Sequence, residues 1–377
     1  MKRGSPLKRL ALLGALGALA AAIVPATAAA APTPRPVGSV FVETDGLAEN
    51  VIVAYTRESD GSLSEAGSYP TEGLGGQLSG SVVDHTASQG ALAYDRWGNL
   101  LLAVNAGSDT ISVFAVQGEK LTLREVVDSG GKFPVSITTH GNQAYVLNAE
   151  EGGSIQGYVV NGGYLAPVAS EHRALGLATG KKGEATQFTH TPGQVAFTPS
   201  GKDLIVTTKQ AGESIEIFAS SQANLAKNPV VTAAAGNPFD LAFGPGEELL
   251  VTEAGPSALV SFRLQPGGEL TKLDEAATGQ AATCWVATAG SHFYTSNAGS
   301  ASVTGFSPGL FGGLSELGNT PTHPGTIDAA SAGGYLYVQG GKEGTIDDFQ
   351  VLPNGSLSNV GSVTVPGAVG GEGIVAL

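Results

Sequence analysis

Apolar residues arrive along the chain in short bursts rather than long amphipathic stretches. Each burst of β-branched and aromatic residues is followed by a cluster of Gly, Asn, Asp, Ser or Pro. Past the first thirty residues no long segment keeps a 3.6-residue period. Many short strands joined by tight turns leave this pattern. The bursts also repeat. Pro192-Gly193-Gln194-Val195-Ala196-Phe197, a turn at Pro199-Ser200-Gly201, then apolar runs at 204–208 and 214–218 form one unit. Pro238-Phe239-Asp240-Leu241-Ala242-Phe243, a turn at Pro245-Gly246, then runs at 249–253 and 259–262 form the next.

Seven positions correspond across the chain, close to Glu43, Asn105, Asn148, Thr208, Glu253, Asn297 and Gln339. Most steps between them are 42 to 45 residues. The steps from Glu43 to Asn105 and from Asn148 to Thr208 are longer and hold insertions. A period of this size with several strands per unit predicts propeller blades, which bury their faces only by packing on one another around a ring. The expected fold class is all-β, a seven-bladed β-propeller. The two ends agree with that reading. The first unit lacks its opening strand and begins directly with Ser39-Val40-Phe41-Val42, while the final Gly373-Ile374-Val375-Ala376-Leu377 fits the missing one. The C-terminal strand is therefore expected to join the N-terminal blade and close the ring, leaving no open edge there. A solenoid would have no use for such a return.

The N-terminus reads differently. Lys2, Arg3, Lys8 and Arg9 precede an apolar run from Leu10 to Val24, Pro25 breaks it, and Ala26-Thr27-Ala28 fits a cleavage site. This is the layout of a secretory signal peptide over residues 1–28, followed by an Ala/Pro-rich tether at 29–36 and the propeller at 37–377. The apolar run is short for a membrane span, so a secreted or envelope-associated protein without a span after cleavage is expected. Removing the four basic residues of the leader from the total of 19 leaves 15, against 33 acids, a net charge of −18. That sign argues against nucleic acid and anionic membranes as partners. Cys284 is the sole cysteine, so no intramolecular disulfide forms, and the fold relies on its core. A monomer is expected.

Leu100 to Phe114, with Asn105-Ala106-Gly107-Ser108-Asp109 at its turn, Gln194-Val195-Ala196-Phe197-Thr198-Pro199-Ser200-Gly201 and Gly268-Glu269-Leu270 resemble the lactonase-like branch of seven-bladed propellers. That branch includes 6-phosphogluconolactonase-like and carboxymuconate-lactonising proteins and grades into YVTN-like repeats. Ala281-Ala282-Thr283-Cys284-Trp285-Val286 is similar to a segment of exported actinobacterial members. The resemblance implies the propeller over nearly all of the chain and lactone chemistry in a top-face funnel. Enzymes of the group tend to carry Arg-His before the inner strand of a middle blade and His-Pro at its turn. Here Gln194 and Thr198 stand at those His positions, and a neutral amide or hydroxyl is no general acid or base near neutral pH.

If each inner strand runs from top to bottom, the residues before it and those after the second strand share the top face. This places His190, Gln194, Lys209, Asp240, Glu253, Cys284, Trp285, Asn297, His323 and Glu372 around a common funnel. Glu253 is the best candidate for an acid or base, since a carboxylate there would be partly desolvated. Its bland alternative is a surface or structural carboxylate. Trp285 is either a stacking platform or core. Cys284 lacks basic neighbours in sequence and reads as buried and inert. The Asn-Ala-Gly triplets at Asn105 and Asn297, like Asn148, read as turn chemistry, with Asn bonding its own backbone and tolerating positive φ. Asp45, Asp84 and Asp109 lie in Gly/Ser-rich loops and read as solvated turn residues. None of the six histidines has a metal-ligand spacing, and P-loop and dinucleotide fingerprints are absent, so no cofactor is expected. Two functions remain open. One is a module binding a carbohydrate-like ligand or extracellular protein, and the other is a lactone hydrolase or muconate-type lactonising enzyme.

Overall fold

The computed structural model describes residues 1, 2, 4, 33–221 and 224–377; the apolar run and cleavage site of the expected leader lie outside the described residues. The unit Pro34–Leu377 consists of seven antiparallel sheets. Blades 2 to 7 open with inner strands Leu92–Asp95, Pro134–His140, Gln194–Phe197, Pro238–Phe243, Thr283–Ala289 and Thr326–Ala332. Blade 1 takes Pro36–Glu43, Val51–Glu58 and Leu63–Pro70 from the start of the chain, and Ile374–Ala376 from its end as the inner strand. Each inner strand lies beside that of the next blade, and Ile374–Ala376 lies beside Leu92–Asp95, so the circle closes.

Strand burial follows the ring. Second strands such as Leu100–Asn105 and Gln143–Asn148 are buried at every residue, because a neighbouring blade covers each of their faces. Outer strands such as Lys120–Asp128 alternate between exposed residues and ones that are buried or, more often, half-buried. The core is correspondingly divided into layers between blades. Leu102, Val104 and Val113 of blade 2 pack on Val146 and Tyr158 of blade 3, for example, and Val251 and Val260 of blade 5 pack on Ile205 and Ile217 of blade 4.

Closure by the C-terminal strand is as expected from the sequence. Val40, Phe41 and Val42 pair with Ala376, Val375 and Ile374. Backbone bonds from Leu377 N to Ser39 O (2.8 Å) and from Glu43 N to Gly373 O (3.0 Å) extend the ladder at both ends. Arg57 Nε donates to the Leu377 carbonyl at 3.0 Å. Gly38 is required at this seam, since a Cβ there would strike the Leu377 carbonyl.

At the top of the ring, the inner strands of blades 3, 5, 6 and 7 break register in their first residues, between Pro134 and Ser136, Pro238 and Leu241, Thr283 and Trp285, and Thr326 and Ala329. A bulge takes residues out of the ladder and re-aims their side chains. The residues released include Asp240, Cys284 and Asp328, all of them buried.

Candidate functional site

The two longer repeat steps become two insertions, residues 71–91 between blades 1 and 2 and residues 175–193 between blades 3 and 4. Both fold over the top of the ring. The first reaches four blades besides blade 2, the one it leads into. His85 N donates to Gly370 O of blade 1's closing segment, Ser88 Oγ to Val135 O of blade 3 and Gln89 N to Gly193 O before blade 4, and Ser88 O accepts Trp285 Nε1 of blade 6. A segment bonded to all of these lies across the axial mouth. The second insertion locks onto the first. Gln187 Oε1 accepts Ser79 N at 2.9 Å, and Gly183 N donates to Ser79 Oγ at 2.8 Å. The funnel expected from the sequence is thus stoppered.

Beneath the stopper stand carboxylates and one amide, and most of their oxygens face backbone. An inner strand presents an unpaired edge to the axis, and its buried N–H groups need acceptors. Side chains of one blade supply them to the next. Gln194 Oε1 accepts Leu241 N (2.6 Å), and Asp240 Oδ2 accepts Val286 N (2.7 Å). Asp328 Oδ1 accepts Ala329 N at 2.7 Å, and the oxygens of Glu372 accept Gly90 N (2.9 Å) and Ala91 N (3.1 Å). Asp84 holds the first insertion in shape by accepting Thr86 N, Ala87 N and Ser88 N at 2.8–2.9 Å.

Burial governs the charges here. It pushes Asp328 up to about 7 and Asp84 up to about 6, in the latter against the pull of its amide donors and of Lys209. Asp45, Asp240 and Glu372 are raised well above the usual carboxylate range, again by burial first, with Asp328 and Asp84 adding to the effect on Glu372. Lys209 is fully buried, and burial lowers it to about 7. Its Nζ donates to Ala87 O (2.5 Å) and Phe188 O (2.7 Å), one carbonyl from each insertion, and sits 5.1 Å from the centre of the Phe239 ring. It is a strut between blade 4 and both halves of the stopper. Cys284 is buried, with its thiol pushed up to about 12 by desolvation. Trp285 packs edge-on against Phe239 with ring centres 4.9 Å apart.

The structure gathers Gln194, Lys209, Asp240, Cys284, Trp285 and Glu372 around the axis. The other candidates lie elsewhere. Glu253 ends the second strand of blade 5, where Lys272 and Glu275 of the outer strand are its charged neighbours; burial raises its carboxyl. His323 Nδ1 lies 2.6 Å from Asp347 Oδ1 at blade 7. His190 lies on the second insertion, its Nδ1 within 3.0 Å of Thr186 O and 2.9 Å of Thr189 Oγ1. Asn297 is buried among hydroxyls, accepting Thr283 Oγ1 and donating to Ser302 Oγ and Thr304 Oγ1.

Two expectations need correction, and one residue escaped the sequence reading. Asp45 and Asp84 are fully buried, not solvated, because the first insertion and the closing segment fold over them. Asn105, Asn148 and Asn297 do not carry positive φ. Their amides bind hydroxyls across the hairpin, as in Asn105 Nδ2 to Ser112 Oγ at 2.9 Å, and the left-handed residues come later, at Asp109, Glu151 and Ala301. Asp328 was missed altogether. Its signal was its place in the unit, since it is the third residue of blade 7's inner strand as Asp240 is of blade 5's.

Residues 40–174, which span blades 1 to 3, match the family model described as a lactonase with a seven-bladed β-propeller. No curated protein matches the chain. Among solved structures, the periplasmic gluconolactonase of Pseudomonas aeruginosa is 18% identical over 90% of this chain and 99% of its own, with a TM-score of 0.70. A candidate 6-phosphogluconolactonase from Bacteroides fragilis is 20% identical over 90% of this chain and 97% of its own, with a TM-score of 0.68. The virginiamycin B lyase of Staphylococcus aureus is more distant, at 11% identity, 76% and 88% coverage and a TM-score of 0.53. Likeness at these identities is likeness of fold.

Proposed function

We propose that this chain, a lactonase-like seven-bladed β-propeller, is an exported binding module rather than a hydrolase, with its axial acids serving the ring. One observation carries the reading. The axial mouth is stoppered by residues 71–91 and 175–193, and the acids beneath accept backbone amides of neighbouring blades. A general base needs a free lone pair within reach of an attacking water, and a lactone needs a path to it. The export half of the proposal rests on the leader layout at residues 1–28.

Lactone hydrolysis is the second reading. Its support is the family match, together with the titration of Asp328 and Lys209 near neutrality, the range a general acid or base requires. The two readings separate in one assay. Mature protein is incubated with a panel of γ- and δ-lactones beside Asp328→Asn and Glu253→Gln. No hydrolysis above the spontaneous rate is expected. Turnover that either substitution abolishes, in a variant that melts like the parent, would overturn the binding-module reading and identify the base.

A further inference from the structure

The lower face offers an internal control. In blades 2 to 7 a turn joins the inner strand to the second strand, and five of these six turns are built from small or polar residues: Gly141-Asn142, Pro199-Ser200-Gly201, Pro245-Gly246-Glu247, Gly290-Ser291 and Gly333-Gly334. The turn of blade 2 is Arg96-Trp97-Gly98-Asn99. The other five show that the fold asks for no aromatic there. Even so, Trp97 is 70% exposed, whereas Trp285, the other tryptophan, is 4% exposed. Leaving an indole in water forgoes the stabilisation its burial would bring.

The turn is held rigid. Buried Asp95 accepts Trp97 N (3.1 Å) and Gly98 N (3.0 Å), and Tyr94 Oη donates to Asn99 Oδ1 at 2.7 Å. Arg96 lies over the indole, 5.7 Å from the ring centre. Trp97 forms one wall of a 410 Å³ groove between blades 2 and 3. The far wall is made of Gly141, Gly162 and Gly163, and a Cβ on either of the first two would meet nothing within 4 Å, so the wall is open backbone. Arg124 and Asn142 also face the groove, and among the described residues their side chains take part in no hydrogen bond or ion pair.

We infer that this groove binds a neutral carbohydrate, one pyranose ring stacked on Trp97 with its hydroxyls taken by Arg124 and Asn142. The volume falls in the range of ligand sites, where apolar surface is combined with a few placed polar groups. A planar indole fits the apolar face of a sugar ring, while an amide and a guanidinium fit its hydroxyls. A protein partner would want a cluster of apolar anchors over a wide patch, and Trp97 is the single large apolar side chain of its turn. The overall acidity disfavours polyanions. This groove lies on the face opposite the axial acids, so the inference stands whichever way the lactone assay falls.

The test uses mature protein and a panel of neutral xylo-, cello-, malto- and chito-oligosaccharides. Because Trp97 is the exposed tryptophan, acrylamide quenching of emission reports on it directly. At least one oligosaccharide series is expected to protect it, saturably, in the millimolar range. Trp97→Ala should weaken binding measured by calorimetry at least ~10-fold, and Arg124→Gln roughly 3- to 10-fold, the scale of one lost stacking or hydrogen-bonding partner. Glu269→Gln, at an exposed turn of blade 5 away from the groove, should bind as the parent does. Quenching unchanged by every sugar at tens of millimolar, or affinity retained in Trp97→Ala, would overturn the proposal.

Discussion

The two ends of the ring are made from the same repeat and have opposite characters. At the top, residues leave the ladder, acids are buried, and two insertions seal the mouth. At the bottom, the turns are short and generic, and one of them presents a tryptophan to solvent. The difference shows where a propeller has freedom. The top must satisfy a circle of unpaired inner-strand edges in the dark, so its polar residues are recruited to structure and their pKa values shift as a by-product of burial. The bottom closes its hairpins with turn chemistry alone, which leaves individual side chains without structural duty. A perturbed acid at the top is thus weak support for catalysis, while an unexplained aromatic at the bottom is a stronger pointer to a ligand.

Several changes would break or sharpen this contrast, and the largest effect should come from the seam. Deleting residues 371–377 removes the inner strand of blade 1 together with Glu372, and is expected to lower Tm by more than about 10 °C, given that a few kcal/mol already moves a domain by such amounts. Calorimetry checks this, and a deletion that melts like the parent would show that the closing strand is dispensable. Next comes Lys209→Met, which leaves two buried carbonyls without a donor and Asp84 without its cation. A loss of about 2–4 kcal/mol in urea denaturation is expected. Limited proteolysis should then cut first within residues 71–91 or 175–193, and cleavage elsewhere would break the strut assignment.

The axial acids also predict a pH dependence with a definite sign. Asp328 and Asp84 have folded pKa values raised to about 7 and about 6 from 3.8. The folded state therefore holds more protons than the unfolded chain between about pH 4 and 7, and stability falls as pH rises through that window. Lys209, lowered from 10.5 to about 7, acts the other way, but only above that window. Tm should be several degrees higher at pH 5 than at pH 7, and Asp328→Asn should flatten the slope. The smallest effects belong to Glu253→Gln and Trp97→Ala, each within about 0.5 kcal/mol of the parent in chemical denaturation, as expected for substitutions outside a buried network. A large loss in Trp97→Ala would mean that the indole has a structural task after all.

Much of this was legible along the chain. The blades, the two insertions and the seam could be read because each depends on local pattern: period, turn residues, and a strand-like end where one was missing. Gln194, Lys209, Asp240, Cys284, Trp285 and Glu372 could be placed at one end of the ring, because their place in the repeat fixes their height in it. Glu253 was collected with them for the same reason and yet lies near Lys272 and Glu275. Height along the blade is readable from a repeat, but radial direction depends on which face of a strand looks inward. Asp45 and Asp84 misled in the other direction. Gly/Ser-rich surroundings usually mean solvent, and nothing local announces that an insertion will fold across the axis.

The amino-acid sequence by itself determined the number of blades, the order of strands and the way the circle closes. Those follow from hydrophobic periodicity and turn chemistry, which act over a few residues. Only the tertiary structure decided what the polar residues do. Whether an acid is solvated, protonated or bound to an amide depends on segments that meet from seven blades, such as the Glu372 carboxyl of the closing segment with the Gly90 and Ala91 amides before blade 2. The same holds for Trp97, an ordinary turn residue in the sequence. It becomes conspicuous when the ring sets its turn beside five others that manage without an aromatic.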